Sequence, residues 1–148
     1  MKLHDDVNPH LNTVTAYGDG FIEINRERFD DAIAFGPSGE VRAWSANDAS
    51  DISADLLFQA CNLQKRSVDP MAFLDAVEDK PDLDPNRPEV LLVGTGKRQV
   101  LLPHHVFSPL LKAGIGVEAM STQAACRTYN ILMAEGRQVI AAIILEKP

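Results

Sequence analysis

Short runs with a period of two occupy the first third of the chain, and unbroken apolar runs alternate with helical stripes in the last third. Residues 13–17 and 21–25 read as strands on either side of Gly18-Asp19-Gly20, whose glycines permit the positive φ of a tight hairpin. The alternation across Phe21 to Asn25 is only partial. A run over 28–35 leads into Gly36-Pro37-Ser38-Gly39 and then 40–45. There Val41, Ala43 and Ser45 oppose Glu40, Arg42 and Trp44, which predicts a second hairpin. The first third is therefore expected to form an antiparallel, partly exposed sheet.

Helical spacing begins at 54–63, with Leu56, Leu57, Ala60 and Cys61 on one face and Asp51 or Ser53 as cap. Asp69-Pro70 is a cap followed by proline at the first helical position, with Phe73, Leu74 and Val77 as its apolar stripe. Pro81, Pro85 and Pro88 among acids mark 80–88 as a surface loop. From Glu89 the order predicted is β-α-β-α-β. An apolar strand at 90–93 enters Gly94-Thr95-Gly96, and 103–113 is helical in tendency, ended by Gly114. Pro109 predicts either a kink there or a new helix capped by Ser108. A strand at 115–120 follows, and Ser121 caps a helix over 122–135 that Gly136 ends. The final run, 138–145, is apolar on both faces, as a strand inside a covered sheet must be. The reading is one α/β domain over 13–148, with 1–12 as a mobile tail.

Composition narrows the classes of function. The chain has 148 residues, 45% hydrophobic and 24% charged, enough for one self-sufficient core without disulfides or metal. Net charge is −7, divided as −9 over 1–88 and +2 over 89–148. An acidic domain repels phosphate backbones, so nucleic acid is not the expected partner. Cys61 and Cys126 lie far apart with no ligand spacing, which disfavours a zinc site and a disulfide framework. Free thiols suit a reducing compartment. MKLHDDVNPHLN has neither a signal-peptide core nor the arginines of a mitochondrial presequence, and no run can span a bilayer. The expected location is the cytoplasm, without membrane insertion.

Candidate chemistry concentrates in the C-terminal third. Gly94, Thr95, Gly96 and Lys97 follow a buried strand, where backbone N–H groups can turn toward an anion. Neither the dinucleotide fingerprint nor the phosphate-loop spacing is met, because Gln99 stands at the third glycine position and the Gly-Lys pair comes too early. Arg127, Thr128 and Asn130 form a polar stretch on the last helix, with Arg127 and Asn130 sharing a face. They can bind a ligand or partner, or tie the fold together. Adjacent His104 and His105 point about 100° apart and cannot easily chelate one metal. Cys126 beside Arg127 is a nucleophile if its thiol is activated and a small core hydrophobe otherwise. No catalytic constellation, metal site or cofactor motif assembles from these residues.

The C-terminal motifs carry a resemblance. Leu91-Leu92-Val93-Gly94-Thr95-Gly96 is similar to the strand-and-loop signature of the Mth-type domain-of-unknown-function family. So are Gly114-Ile115-Gly116-Val117-Glu118-Ala119-Met120-Ser121-Thr122, Ala124-Ala125-Cys126-Arg127-Thr128-Tyr129-Asn130 and Glu135-Gly136-Arg137. Tyr17-Gly18-Asp19-Gly20-Phe21-Ile22 resembles the family's opening hairpin. The resemblance implies a three-layer α/β fold, with a mixed central sheet, flanking helices and an additional N-terminal antiparallel β-layer. It implies no established enzymatic activity and no cofactor, and the family includes a mitochondrial assembly factor for respiratory complex I. The expectation is a non-catalytic interaction or assembly-factor-like domain whose partner is another protein. The alternative is a small-molecule binder or enzyme that takes an anionic ligand at Gly94 to Lys97.

Overall fold

The computed structural model describes residues 10–63 and 83–145. The expected helix near 69–77 and most of the expected tail lie outside the described residues. Strands β1 (Val14–Gly18), β2 (Phe21–Ile24) and β3 (Glu27–Phe29) form an antiparallel sheet in the order β1-β2-β3. Strands β4 (Ile33–Phe35), β5 (Arg42–Ala43), β6 (Val90–Gly94), β7 (Gly116–Met120) and β8 (Val139–Ile143) form a second sheet in the order β5-β4-β8-β6-β7. The three helices described are α1 (Ala54–Ala60), α2 (His104–Lys112) and α3 (Thr122–Ala134).

The five-stranded sheet is mixed. β6 runs parallel to β7 and β8, while β4 is antiparallel to β8 and β5. The chain passes from β6 through α2 to β7, then returns through α3 past β6 to β8. Both are parallel crossovers, and right-handed crossovers taken in opposite directions place their helices on opposite faces. That is the arrangement found. Leu91, Val93, Ala142 and Ile144 pack with α1 and α2, whereas Leu92, Val139, Ala141 and Ile143 pack with α3 and the three-stranded sheet. The alternation explains why β6 and β8 read as continuous apolar runs, since each strand supplies two cores. Each fully buried Leu, Ile or Val stabilises by roughly 1.5–3 kcal/mol.

Two local readings change. The run over 28–35 is not one strand, because it divides into β3 in the small sheet and β4 in the central one. A two-residue turn at Asn25 (φ 48°) and Arg26 (φ 69°) returns the chain into β3, a left-handed pair with no glycine to announce it. Of the two alternatives at Pro109 the restart capped by Ser108 is excluded, because α2 runs as one helix from His104 to Lys112 with the proline inside it. The amide that proline lacks would have served His105, which is exposed. The 33–43 hairpin, the Ser121 cap and α3 follow the sequence reading.

Candidate functional site

The C-terminal ends of β6 and β7 are where this topology favours a ligand. Their following helices depart to opposite faces, which opens a crevice at the end of an open parallel sheet. Gly94, Thr95 and Gly96 stand at that point, as does Ser121 at the head of α3. Gly94 is required by close approach, since a Cβ there would lie 3.0 Å from Thr122 Oγ1 and 3.1 Å from Thr122 Cα. Gly96 has φ +99°, a conformation suited to glycine.

The crevice is closed by the protein's own hydrogen bonds. Thr95 N–H donates to Met120 O at 2.9 Å, and Gly96 N–H donates to Thr122 Oγ1 at 3.0 Å. Thr122 N–H returns to Gly96 O at 2.8 Å, and its hydroxyl donates to Ile144 O at 2.7 Å. Ala124 N–H is taken by the Ser121 hydroxyl. Thr95 is buried, and its hydroxyl donates to Arg98 O at 2.5 Å while accepting from Val100 N–H at 3.0 Å. The N–H groups of Thr95, Gly96, Thr122 and Ala124 are thus engaged within the fold. Lys97 and Arg98 project from a tied loop.

The sequence-selected residues divide by role. Gly96, Lys97 and Thr122 line a hollow of about 30 Å³ with Tyr17 to Gly20 of the first hairpin, Gln123 and Leu145. That volume suits about one water and lies far below the several hundred Å³ of a small-molecule site. Arg127, one turn beyond Gln123 on α3, donates from Nε to the Tyr17 hydroxyl at 3.1 Å. The loop and the helix face therefore reach the same side through Tyr17. Asn130 does not join that surface. It is buried, with Nδ2 donating to Val14 O and Oδ1 accepting Val14 N–H, both at 2.9 Å. Thr128, two positions before it, is half-buried.

Cys126 is fully buried, and desolvation pushes its thiol up to about 12. Burial does the same to Cys61, to about 12, although Arg42 opposes the shift. A thiol held neutral in this way is a hydrophobe and not a nucleophile. Among the described residues, no three His, Cys, Asp or Glu side chains are grouped to hold a metal. Among them also, every buried side-chain nitrogen and oxygen has a hydrogen-bond partner.

A larger groove of about 420 Å³ lies at the other end of the parallel strands, lined by residues including Ser38, Arg42, Cys61, Asn86 and Gln138. Sequence reading placed Arg42 only in the alternation of the second hairpin. In the structure its guanidinium donates to Gln59 O at 2.8 Å and Ala60 O at 2.6 Å. Arg42 thus closes the C-terminal end of α1, where a cation is favoured.

Comparison with known proteins places this geometry among relatives. Residues 14–144 match the family described as "Protein of unknown function (DUF498/DUF598)". A solution structure from Bordetella pertussis, described as a Mth938-like domain, superposes with TM-score 0.77 at 57% identity, covering 99% of this chain and 94% of that one. The bovine NADH dehydrogenase [ubiquinone] 1 alpha subcomplex assembly factor 3 is 45% identical over 58 residues, 39% of this chain and 32% of that protein. A Francisella tularensis protein named "13 kDa major membrane protein" is 44% identical over 57 residues, 38% of this chain and 46% of its own. The match thus spans less than half the length of these two relatives. Among the described residues, no helix is long and apolar enough to cross a membrane.

Proposed function

This chain belongs to the DUF498/DUF598 family, and from that membership we propose that it is a non-catalytic protein-interaction module of the assembly-factor kind. The carrying observation is the closed crevice: Thr95 N–H, Gly96 N–H and Thr122 N–H all bond within the fold at the position where such a topology holds a ligand. The buried thiols supply no nucleophile, and several relatives are named as assembly factors for an NADH dehydrogenase. The partner proposed is another protein, of the kind assembled into a respiratory NADH dehydrogenase. The cytoplasm is the proposed location.

Affinity capture of the full chain from its own cells, repeated with chemical cross-linking, tests this reading. Recovery of the same protein in each repeat is expected, and recovery of nothing would sink it. A thermal-shift screen of nucleotides, phosphate and small carboxylates addresses the anionic-ligand alternative, and no shift is expected. A ligand at one hundred times its dissociation constant would stabilise by about 2.7 kcal/mol, and such a shift would replace the proposal with a ligand-binding one.

A further inference from the structure

We propose that the loop over 97–101 and the outer ridge of α2 form the docking face of this protein, and that its partner is an acidic protein segment bearing apolar side chains. The proposal rests on the interaction-module reading and gives that module a surface.

Exposure and charge coincide there. Among the described residues four large hydrophobic side chains are exposed, and three belong to this stretch: Val100 (41%), Leu101 (77%) and Leu111 (48%). The same stretch is free of acids. No Asp or Glu occurs from Val90 to Val117 in a chain that carries 21 of them, while Lys97, Arg98 and Lys112 all lie within it and are exposed. Arg87 adds a further cation at the far end of α2, where its Nε lies 2.7 Å from the point a Cβ would occupy on Gly114. The neighbouring acids are few: α1, packed beside α2, brings Asp55, Asp19 lines the hollow that Lys97 also lines, and Asp84 belongs to the turn that holds Arg87. Glu118 of β7 follows Val117 in strand alternation, and Val117 packs with the α2 core, so Glu118 belongs to the opposite face of the sheet.

The face is also pre-ordered. The Thr95 hydroxyl holds Arg98 O and Val100 N–H, and Gln99 Nε2 donates to Ala119 O on β7 at 2.9 Å. Leu101 is therefore presented by a tied loop, so that docking orders little new chain. On α2, Val106 and Leu110 turn to the core and half-buried Phe107 packs against it, which leaves His104 and Leu111 exposed along the helix. The His104 ring meets Phe107 edge-on at 5.2 Å.

An acidic partner segment complements this surface in sign, and its apolar residues cover Leu101 and Leu111. A bilayer fits less well. The strongly apolar face of α2 is already buried in the protein, and a helix that lies in a lipid interface must offer that face to the acyl chains. A second copy would have to present its acidic half, a head-to-tail contact that closes only if the rotation allows.

The test uses the tagged full chain in extract from its own cells, with carbodiimide coupling lysines to partner carboxylates. Expected are cross-links from Lys97 or Lys112 to a segment of net negative charge. The yield from Lys112, whose amine every variant keeps, should fall at least tenfold in Leu101→Asp/Leu111→Asp and in Lys97→Glu/Arg98→Glu, with melting temperatures unchanged because all four side chains are exposed. Capture that these variants leave intact would overturn the docking face while sparing the interaction-module reading. Capture of nothing would remove both. The face would equally be reassigned by two other results that the same variants abolish: pelleting with vesicles of 30 mol% phosphatidylglycerol, or concentration-dependent self-association in sedimentation velocity.

Discussion

The side-chain amide of Asn130 pairs with the backbone of Val14 as a neighbouring strand would. Its Nδ2 donates to Val14 O and its Oδ1 accepts Val14 N–H, each at 2.9 Å, across 116 positions of sequence. β1 is the edge of the three-stranded sheet, and Asn130 on α3 covers the open side of that edge at Val14. The Tyr129 hydroxyl extends the same seam by donating to Asn12 O at 2.7 Å. The small sheet is thereby fastened to α3 by directed bonds as well as by apolar packing.

Asn130→Ala leaves both Val14 groups buried without partners. Each unsatisfied group costs about 1–3 kcal/mol, so a loss of roughly 2–5 kcal/mol is expected. For a domain of this size that lowers the melting temperature by roughly 5–15 °C. Asn130→Asp should also destabilise, because a carboxylate cannot donate to Val14 O. Calorimetry showing either variant as stable as the parent would mean the pairing contributes nothing.

Thr122 closes the glycine passage, and its hydroxyl should matter more than its methyl. Thr122→Val removes the acceptor for Gly96 N–H and the donor to Ile144 O, at an expected cost of about 2–3 kcal/mol. Thr122→Ser keeps the hydroxyl and should recover most of it. Urea midpoints of the pair measure the difference, and equal midpoints would exclude the hydroxyl as the fastening group.

Two glycines separate close approach from backbone conformation. A Cβ on Gly94 would meet Ile143 Cδ1 at 2.9 Å and Thr122 Cα at 3.1 Å, so Gly94→Ala forces α3 away from β6. Overpacking of that kind costs about 1–3 kcal/mol. Gly136 has φ +78° and nothing within 4 Å of a would-be Cβ, so Gly136→Ala pays only the left-handed penalty of about 1–2 kcal/mol. The stronger sign of crowding is structural. Amide shifts should spread into β6 and α3 for Gly94→Ala and stay local to the turn for Gly136→Ala.

What the sequence disclosed follows from the range of the interactions involved. β6, β8 and α3 were legible because each is set by its own apolar pattern and caps. β3 was not, since the turn at Asn25 and Arg26 depends on two left-handed residues of which only Asn25 is a familiar signal. Thr122 read as the first residue of a helix, and its bonds reach Gly96 and Ile144, just past the ends of β6 and β8 and 22 or more positions away. Arg127 and Asn130 shared a face on paper, but β1 divides them: Tyr17 meets the exposed Arg127 and Val14 buries Asn130. No local pattern distinguishes those roles.

Alkali should unfold this protein through its buried acids. Desolvation raises Cys61 and Cys126 from the ordinary thiol value of 9.0 to about 12, and burial raises Tyr129 as well. Between the two thiol values the folded chain keeps protons that the unfolded chain has released. Stability must then fall as pH rises, because the native state binds more protons. Stabilisation by the neutral thiols is complete below about pH 9 and is lost progressively toward pH 12, with a slope of about 1.4 kcal/mol per pH unit for each group fully engaged. Urea unfolding at pH 8, 9.5 and 10.5 should show a declining free energy, and Cys61→Ala/Cys126→Ala should flatten the decline. At pH 7.5 both thiols should react with a disulfide reagent only at the rate of local or global opening, and promptly once urea is added. Fast native labelling at Cys126 would show a thiolate that this packing does not allow.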